Sequence, residues 1–100
     1  MSDDPRLRSL MEDVARLAAG WRPDEADLST APFLDDWYFS LYPGSDDLCL
    51  CGRVRGHPRL VDGLITTSPL VAISVENGWV RTCSRFYRLG RPDRSGDAGV

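Results

Sequence analysis

Asn77-Gly78 is the dipeptide that most narrows what this chain can fold into. A two-residue hairpin turn of the I′ type needs positive φ at both central residues, and Asn followed by Gly tolerates that best. Val71, Ile73 and Val75 alternate with Ala72, Ser74 and Glu76 before the pair, and Val80, Thr82 and Ser84 alternate with Arg81, Cys83 and Arg85 after it. Two period-2 runs around Asn-Gly predict a β-hairpin. A two-residue loop sets Glu76 opposite Trp79, Val75 opposite Val80 and Ile73 opposite Thr82. Val71, Ile73, Val75 and Val80 then form the buried face, with Ser74, Arg81 and Arg85 on the outer one. Asp62-Gly63 marks a second turn, between a strand at 48–54 and one at 64–67. Pro69 cannot donate to a ladder, so 64–67 and 70–76 read as two short strands or one strand bent at Pro69.

The N-terminal part has helical periodicity. Asp4 is suited to cap a helix with Pro5 in its first turn. Leu7, Leu10, Met11, Val14, Leu17, Ala18 and Trp21 follow on one face, and Gly20 is suited to end it. This face is expected to cover a sheet, the other reading being a helix that docks in a partner's groove. Residues 23–28 read as a single helical turn or a loop. The aromatic run 37–42 reads as a strand, 43–47 as its turn and 48–55 as the returning strand, with Leu48, Leu50 and Val54 on one face and Cys49, Cys51, Arg53 and Arg55 on the other. The expected fold is α+β: one amphipathic helix over residues 5–20 packed on a four- to five-stranded antiparallel sheet that begins after residue 36. Residues 1–92 form a single domain, and 93–100, rich in Arg, Asp, Ser and Gly, form a disordered tail.

One hundred residues hold one modest core, with a stability of about 5–10 kcal/mol. No apolar run is long enough to span a membrane and the N-terminus has no signal-peptide core, so a soluble cytoplasmic protein is expected. Net charge is −3, and all 12 Lys/Arg residues are arginine. Residues 1–50 carry 11 acidic and 4 basic side chains, residues 51–100 carry 4 and 8. Such asymmetry suits an ionic partner or self-association, and with two open sheet edges it favours a homodimer.

Catalytic patterns are sparse. Cys49, Cys51, His57 and Cys83 invite a zinc reading, but Cys-x-Cys is too short for the usual turn between paired ligands. Cysteine-nucleophile chemistry needs an oriented base, and the one histidine is followed directly by Pro58. No phosphate loop, dinucleotide fingerprint, HExxH or EF-hand is present. No catalytic residue, metal ligand or cofactor is assigned. The arginines are the sharper feature: Arg53, Arg55, His57 and Arg59 alternate, Arg81 and Arg85 share the outer hairpin face, and Arg88 extends the positive end. With Trp79, Phe86 and Tyr87 nearby, this stripe suits an acidic protein surface or a nucleic-acid backbone.

The run GHPRL-x-DG, then TSPL-x-AI, then GW-x-RT-x-SRFYRLG, with AGWRP and APFLDDW upstream, resembles a family of small uncharacterised proteins of alphaproteobacteria, their plasmids and prophages. The resemblance covers most of residues 14–92. It implies a bacterial, often mobile-element setting and no defined activity. Small acidic proteins of mobile elements often act by occluding a larger complex, anti-CRISPR proteins among them. The expected function is therefore a non-enzymatic protein-binding module, with an arginine-based nucleic-acid binder as the alternative.

Overall fold

In the computed structural model, residues 4–93 are described. Helix α1 spans Pro5–Ala18 and α2 spans Glu25–Leu28. Six strands follow: β1 Phe33–Leu41, β2 Leu48–Arg55, β3 Gly63–Thr66, β4 Leu70–Ser74, β5 Trp79–Thr82 and β6 Phe86–Leu89. The fold is α+β, as expected, with one more strand than expected and a first strand that begins at Phe33. The end of the chain beyond residue 93, expected as a tail, lies outside the described residues. Asp93 itself is tied in, its N–H donating to Trp37 O at 2.7 Å.

The helix ends follow from local chemistry. The Asp4 carboxylate accepts from Arg6 N, and Pro5 occupies the first helical position. At the other end Gly20 N donates to Leu17 O and Trp21 N to Arg16 O, a Schellman arrangement. Asp24 and Asp27 bond reciprocally to each other's backbone N–H, the capping box that starts the single turn of α2.

The sheet order is β3-β2-β1-β6-β5-β4. It joins two antiparallel meanders, β1-β2-β3 and β4-β5-β6, along one parallel seam, with Phe33 opposite Arg88 and Leu34 opposite Leu89. The outermost strands β3 and β4 are consecutive in the chain and are linked by residues 67–69 alone. In a flat sheet five strand spacings would hold them about 24 Å apart. The four Cα steps from Thr66 to Leu70 reach at most about 15 Å. The sheet therefore has to curl, and β4 comes into contact with β2. At the start of the link Thr67 N donates to Leu50 O at 2.8 Å and Leu50 N donates to Thr67 Oγ1 at 3.0 Å, which extends the β2–β3 pairing by one rung.

Curling makes the concave face its own core. Leu34, Trp37, Leu50, Val54, Val80 and Tyr87 form the buried cluster, and Ile65, Leu70, Ile73 and Leu89 close over it from both edge regions and the seam. A bulge in β1 at Asp36, with φ 51°, turns Trp37 inward, where its indole N–H donates to Gly90 O at 3.0 Å.

The hairpin exists, but its register differs from expectation. Ser74 pairs with Trp79, Ile73 with Val80 and Leu70 with Thr82, so the loop is the four residues 75–78. The Ser74 hydroxyl accepts from the Asn77 backbone N–H and side-chain amide, and Gly78 takes φ 74° and donates to Ser74 O. Only one loop residue needs positive φ, and glycine supplies it. Val75 is left in the exposed loop, and a bulge between Leu70 and Ala72 leaves Val71 exposed. Neither joins the buried face.

The largest correction concerns α1. Its apolar stripe does not cover the core. Met11 is 64% exposed, with Leu7 and Val14 also exposed; the buried residue of the helix is Asp13, 6% exposed. Helix α1 lies on the convex side, where Arg81 is buried at 1% exposure. Arg81 Nε sits 3.2 Å from Asp13 Oδ2, and Arg16 pairs with Asp13 Oδ1. Arg16 also stacks on Trp21, which meets Phe86 edge-on, and Arg81 lies over Phe86. A buried charge has to be paired, so Asp13 rather than the leucines faces the sheet.

Asp13→Ala, which leaves Arg81 charged and unpaired, should cost about 3–5 kcal/mol in urea unfolding, whereas the double variant Asp13→Leu, Arg81→Met should return to within about 1–2 kcal/mol of the parent.

Candidate functional site

The seven residues of the expected stripe do not form one surface. Arg53 and Arg55 lie on the convex face of β2 and are exposed. Arg53 Nε is 3.6 Å from Asp36 Oδ2, and the Arg55 guanidinium lies 4.7 Å from the centre of the Phe33 ring. β2 ends at Arg55, and the chain turns at Gly56, φ 73°. The alternation therefore stops there, and His57 and Arg59 follow a loop rather than a strand. Arg59 is exposed. Arg81 is not on an outer face at all: α1 covers it, and it pairs with Asp13. Arg85 sits half-buried in the turn between β5 and β6. Arg88 is exposed, and its Nε donates to Ala31 O at 3.1 Å, bracing the entry to β1.

His57 is a loop brace. Its Nδ1 accepts from Arg59 N at 3.0 Å and from Leu60 N at 3.2 Å, which places the ring proton on Nε2. Its ring centre is 6.1 Å from that of Tyr87. Burial, and then the Arg85 charge, hold its pKa below the ordinary 6.5. The cysteines are separate in environment. Cys49 is buried, and that burial raises its thiol pKa, with Cys51 adding to the rise. Cys51 Sγ lies 3.4 Å from Thr66 Oγ1, and Cys83 is exposed between β5 and β6. Among the described residues no three His, Cys, Asp or Glu side chains gather as a metal site.

Three surfaces remain. The first is the exposed stripe of α1 beside edge strand β4, where Val14, Leu17, Val71, Ile73 and Trp79 line a groove of about 450 Å³. The second is the convex face of β1-β2-β3, where Tyr38, Cys51, Arg53, Leu64 and Thr66 line a groove of about 630 Å³. Tyr38 is 49% exposed and Leu64 75%. A bond to Cys51 leads the causes that raise the Tyr38 pKa. The third is a smaller polar pocket at the end of the sheet where β1 and β6 begin. Ser9, Asp13, Asp27, Ser84, Arg81 and Arg85 are among its walls, and its volume is about 210 Å³. The sequence patterning ranked a covered α1 face above an exposed docking one and missed the third surface, because both depend on which side of α1 meets the sheet.

A family profile for a family of unknown function, DUF6634, matches residues 1–99. The chain belongs to DUF6634. This agrees with the expected resemblance at the level of an uncharacterised family. No curated protein and no solved structure matches the chain. Among the described residues of this DUF6634 member, no helix is long and apolar enough to cross a membrane.

His57 has a testable titration. Its folded pKa lies below 6.5, so the unfolded chain takes up this proton first as pH falls. The stability it contributes is complete above about pH 6.5 and is lost as pH falls from there through the lower folded value. Denaturation midpoints measured across that window should fall for the parent chain and fall less for His57→Gln.

Proposed function

We propose that the protein is a non-enzymatic protein-binding module and that the exposed face of α1 is its contact surface. One observation carries the reading: an amphipathic helix turns Leu7, Met11 and Val14 to solvent because its buried side is set by Asp13. Apolar residues grouped on one exposed helix face are the form in which helices dock on partner proteins. The adjoining edge of β4 offers unpaired backbone groups beside the stripe. A narrower form, an inhibitor of a bacterial defence complex carried by a mobile element in the manner of anti-CRISPR proteins, is supported by the sequence resemblance alone. Affinity capture from a bacterial host carrying such a complex should retain a partner on the parent chain. The surface variant Met11→Glu, Val14→Glu should lose that partner while keeping the parent's circular dichroism; equal retention by the variant would remove α1 from the interface.

A second reading is favoured by the uncovered convex face of β1-β2-β3, where Tyr38 stands exposed beside Arg53, with Arg55 on the same face. An aromatic ring among guanidiniums suits a single-stranded nucleic acid, the ring stacking a base and the arginines meeting phosphates. With Arg81 buried, this reading rests on Arg53, Arg55 and Arg59. Gel shifts should then show binding at low salt that weakens steeply as salt rises, since phosphate contacts release counterions. The variant Arg53→Gln, Arg55→Gln should abolish the shift.

A further inference from the structure

Two arginines that line the polar pocket at the β1/β6 end carry buried donors with nothing to donate to. The Arg81 side chain is 2% exposed, and its Nη2 is buried without a hydrogen-bond partner. Its Nε has the charge contact with Asp13 but no aligned hydrogen bond. Arg85 Nε is also buried and unpartnered. Both arginines line the pocket. Buried polar groups are normally satisfied, and unmade donors on a cation are the costliest to leave.

The local charge is unbalanced in the same direction. Asp13 is shared by Arg16 and Arg81, and Asp27 Oδ2 already accepts from Asp24 N in the capping box. Among the described residues no carboxylate pairs with Arg85. The walls carry two arginines and two aspartates, but Arg16, outside the walls, holds part of the Asp13 charge, so the two carboxylates do not fully offset Arg81 and Arg85. The Arg85 charge is felt as far as His57, which it helps keep neutral.

We propose that this pocket is a binding site for a single carboxylate, received by the Arg81 and Arg85 guanidiniums, with the Ser9 and Ser84 hydroxyls as neighbouring donors. The planar pair of carboxylate oxygens matches the guanidinium fork. The Asp13 and Asp27 carboxylates on the wall repel a dianion such as phosphate. At about 210 Å³ the pocket takes a head group rather than a whole ligand. The carboxylate belongs either to a free small acid or to an acidic side chain on a bound polypeptide. The pocket stands apart from the outward stripe of α1, and the proposal does not rest on that surface.

Nitrogen-15 spectra of the full chain follow the arginine Nε–H signals while acetate replaces chloride at fixed ionic strength. Saturable shifts at Arg81 and Arg85 are expected. Arg85→Gln should weaken them by roughly tenfold or more, the loss of a charge-assisted hydrogen bond, and Arg22→Gln, which removes an exposed charge elsewhere, should leave them unchanged. Arg85→Lys keeps the charge and loses the fork, so it should weaken binding as well and serves if the glutamine variant is unfolded. A capped glutamate-containing peptide that binds roughly tenfold or more tightly than acetate, with its glutamine counterpart inert, assigns the carboxylate to a polypeptide; equal affinity assigns it to a free acid. The proposal is overturned if acetate acts no differently from chloride, if Arg22→Gln weakens binding as much as Arg85→Gln, or if phosphate binds more tightly than acetate.

Discussion

The short link between the two edge strands governs the architecture. Because β3 and β4 sit at opposite ends of the strand order and residues 67–69 alone join them, a flat sheet is impossible. The curled sheet closes over its own apolar face. A helix is then no longer needed as a lid on the core. Helix α1 is free to take a place on the convex side, where the inner surface it meets is a mixture of aromatic rings and one buried guanidinium.

That guanidinium decides how the helix is turned. Positions on an α-helix advance by about 100°, so Asp13 lies roughly a quarter-turn from the centre of the Leu10, Met11, Val14 and Leu17 stripe. Pairing Asp13 with Arg81 half-buries Leu10 and Leu17 and leaves Leu7, Met11 and Val14 outside. A single electrostatic requirement thus produces both candidate surfaces that involve α1. It exposes an apolar face on one side, and on the other it draws Ser9 and Asp13 over the arginines of the sheet end.

Local chemistry was legible in the sequence, and long-range chemistry was not. The Asp4 cap, the Gly20 terminator, the 43–47 turn and the strand runs on either side of Asp62-Gly63 all read correctly, because each is settled within a few residues. The rotation of α1 could not be read, since its cause lies 68 residues away at Arg81. The hairpin register shifted because the Ser74 hydroxyl holds Asn77 and favours a longer loop than Asn-Gly alone suggests. β6 was missed because Cys83, Ser84 and Arg85 make a turn without glycine or proline. For the candidate site, alternation placed Arg53 and Arg55 together correctly, and failed where Gly56 ends the strand and where α1 buries Arg81.

The parallel seam between β1 and β6 has a consequence for how the chain reaches this structure. Each meander is built from neighbouring segments and closes short loops. The seam joins residues 55 positions apart in sequence, Phe33 with Arg88 and Leu34 with Leu89. Such pairing carries a larger loop-closure entropy than any hairpin in the molecule. Contact order of this kind slows folding relative to a sheet built from hairpins alone. The inner faces of the two meanders cover each other only once that distant pairing is made.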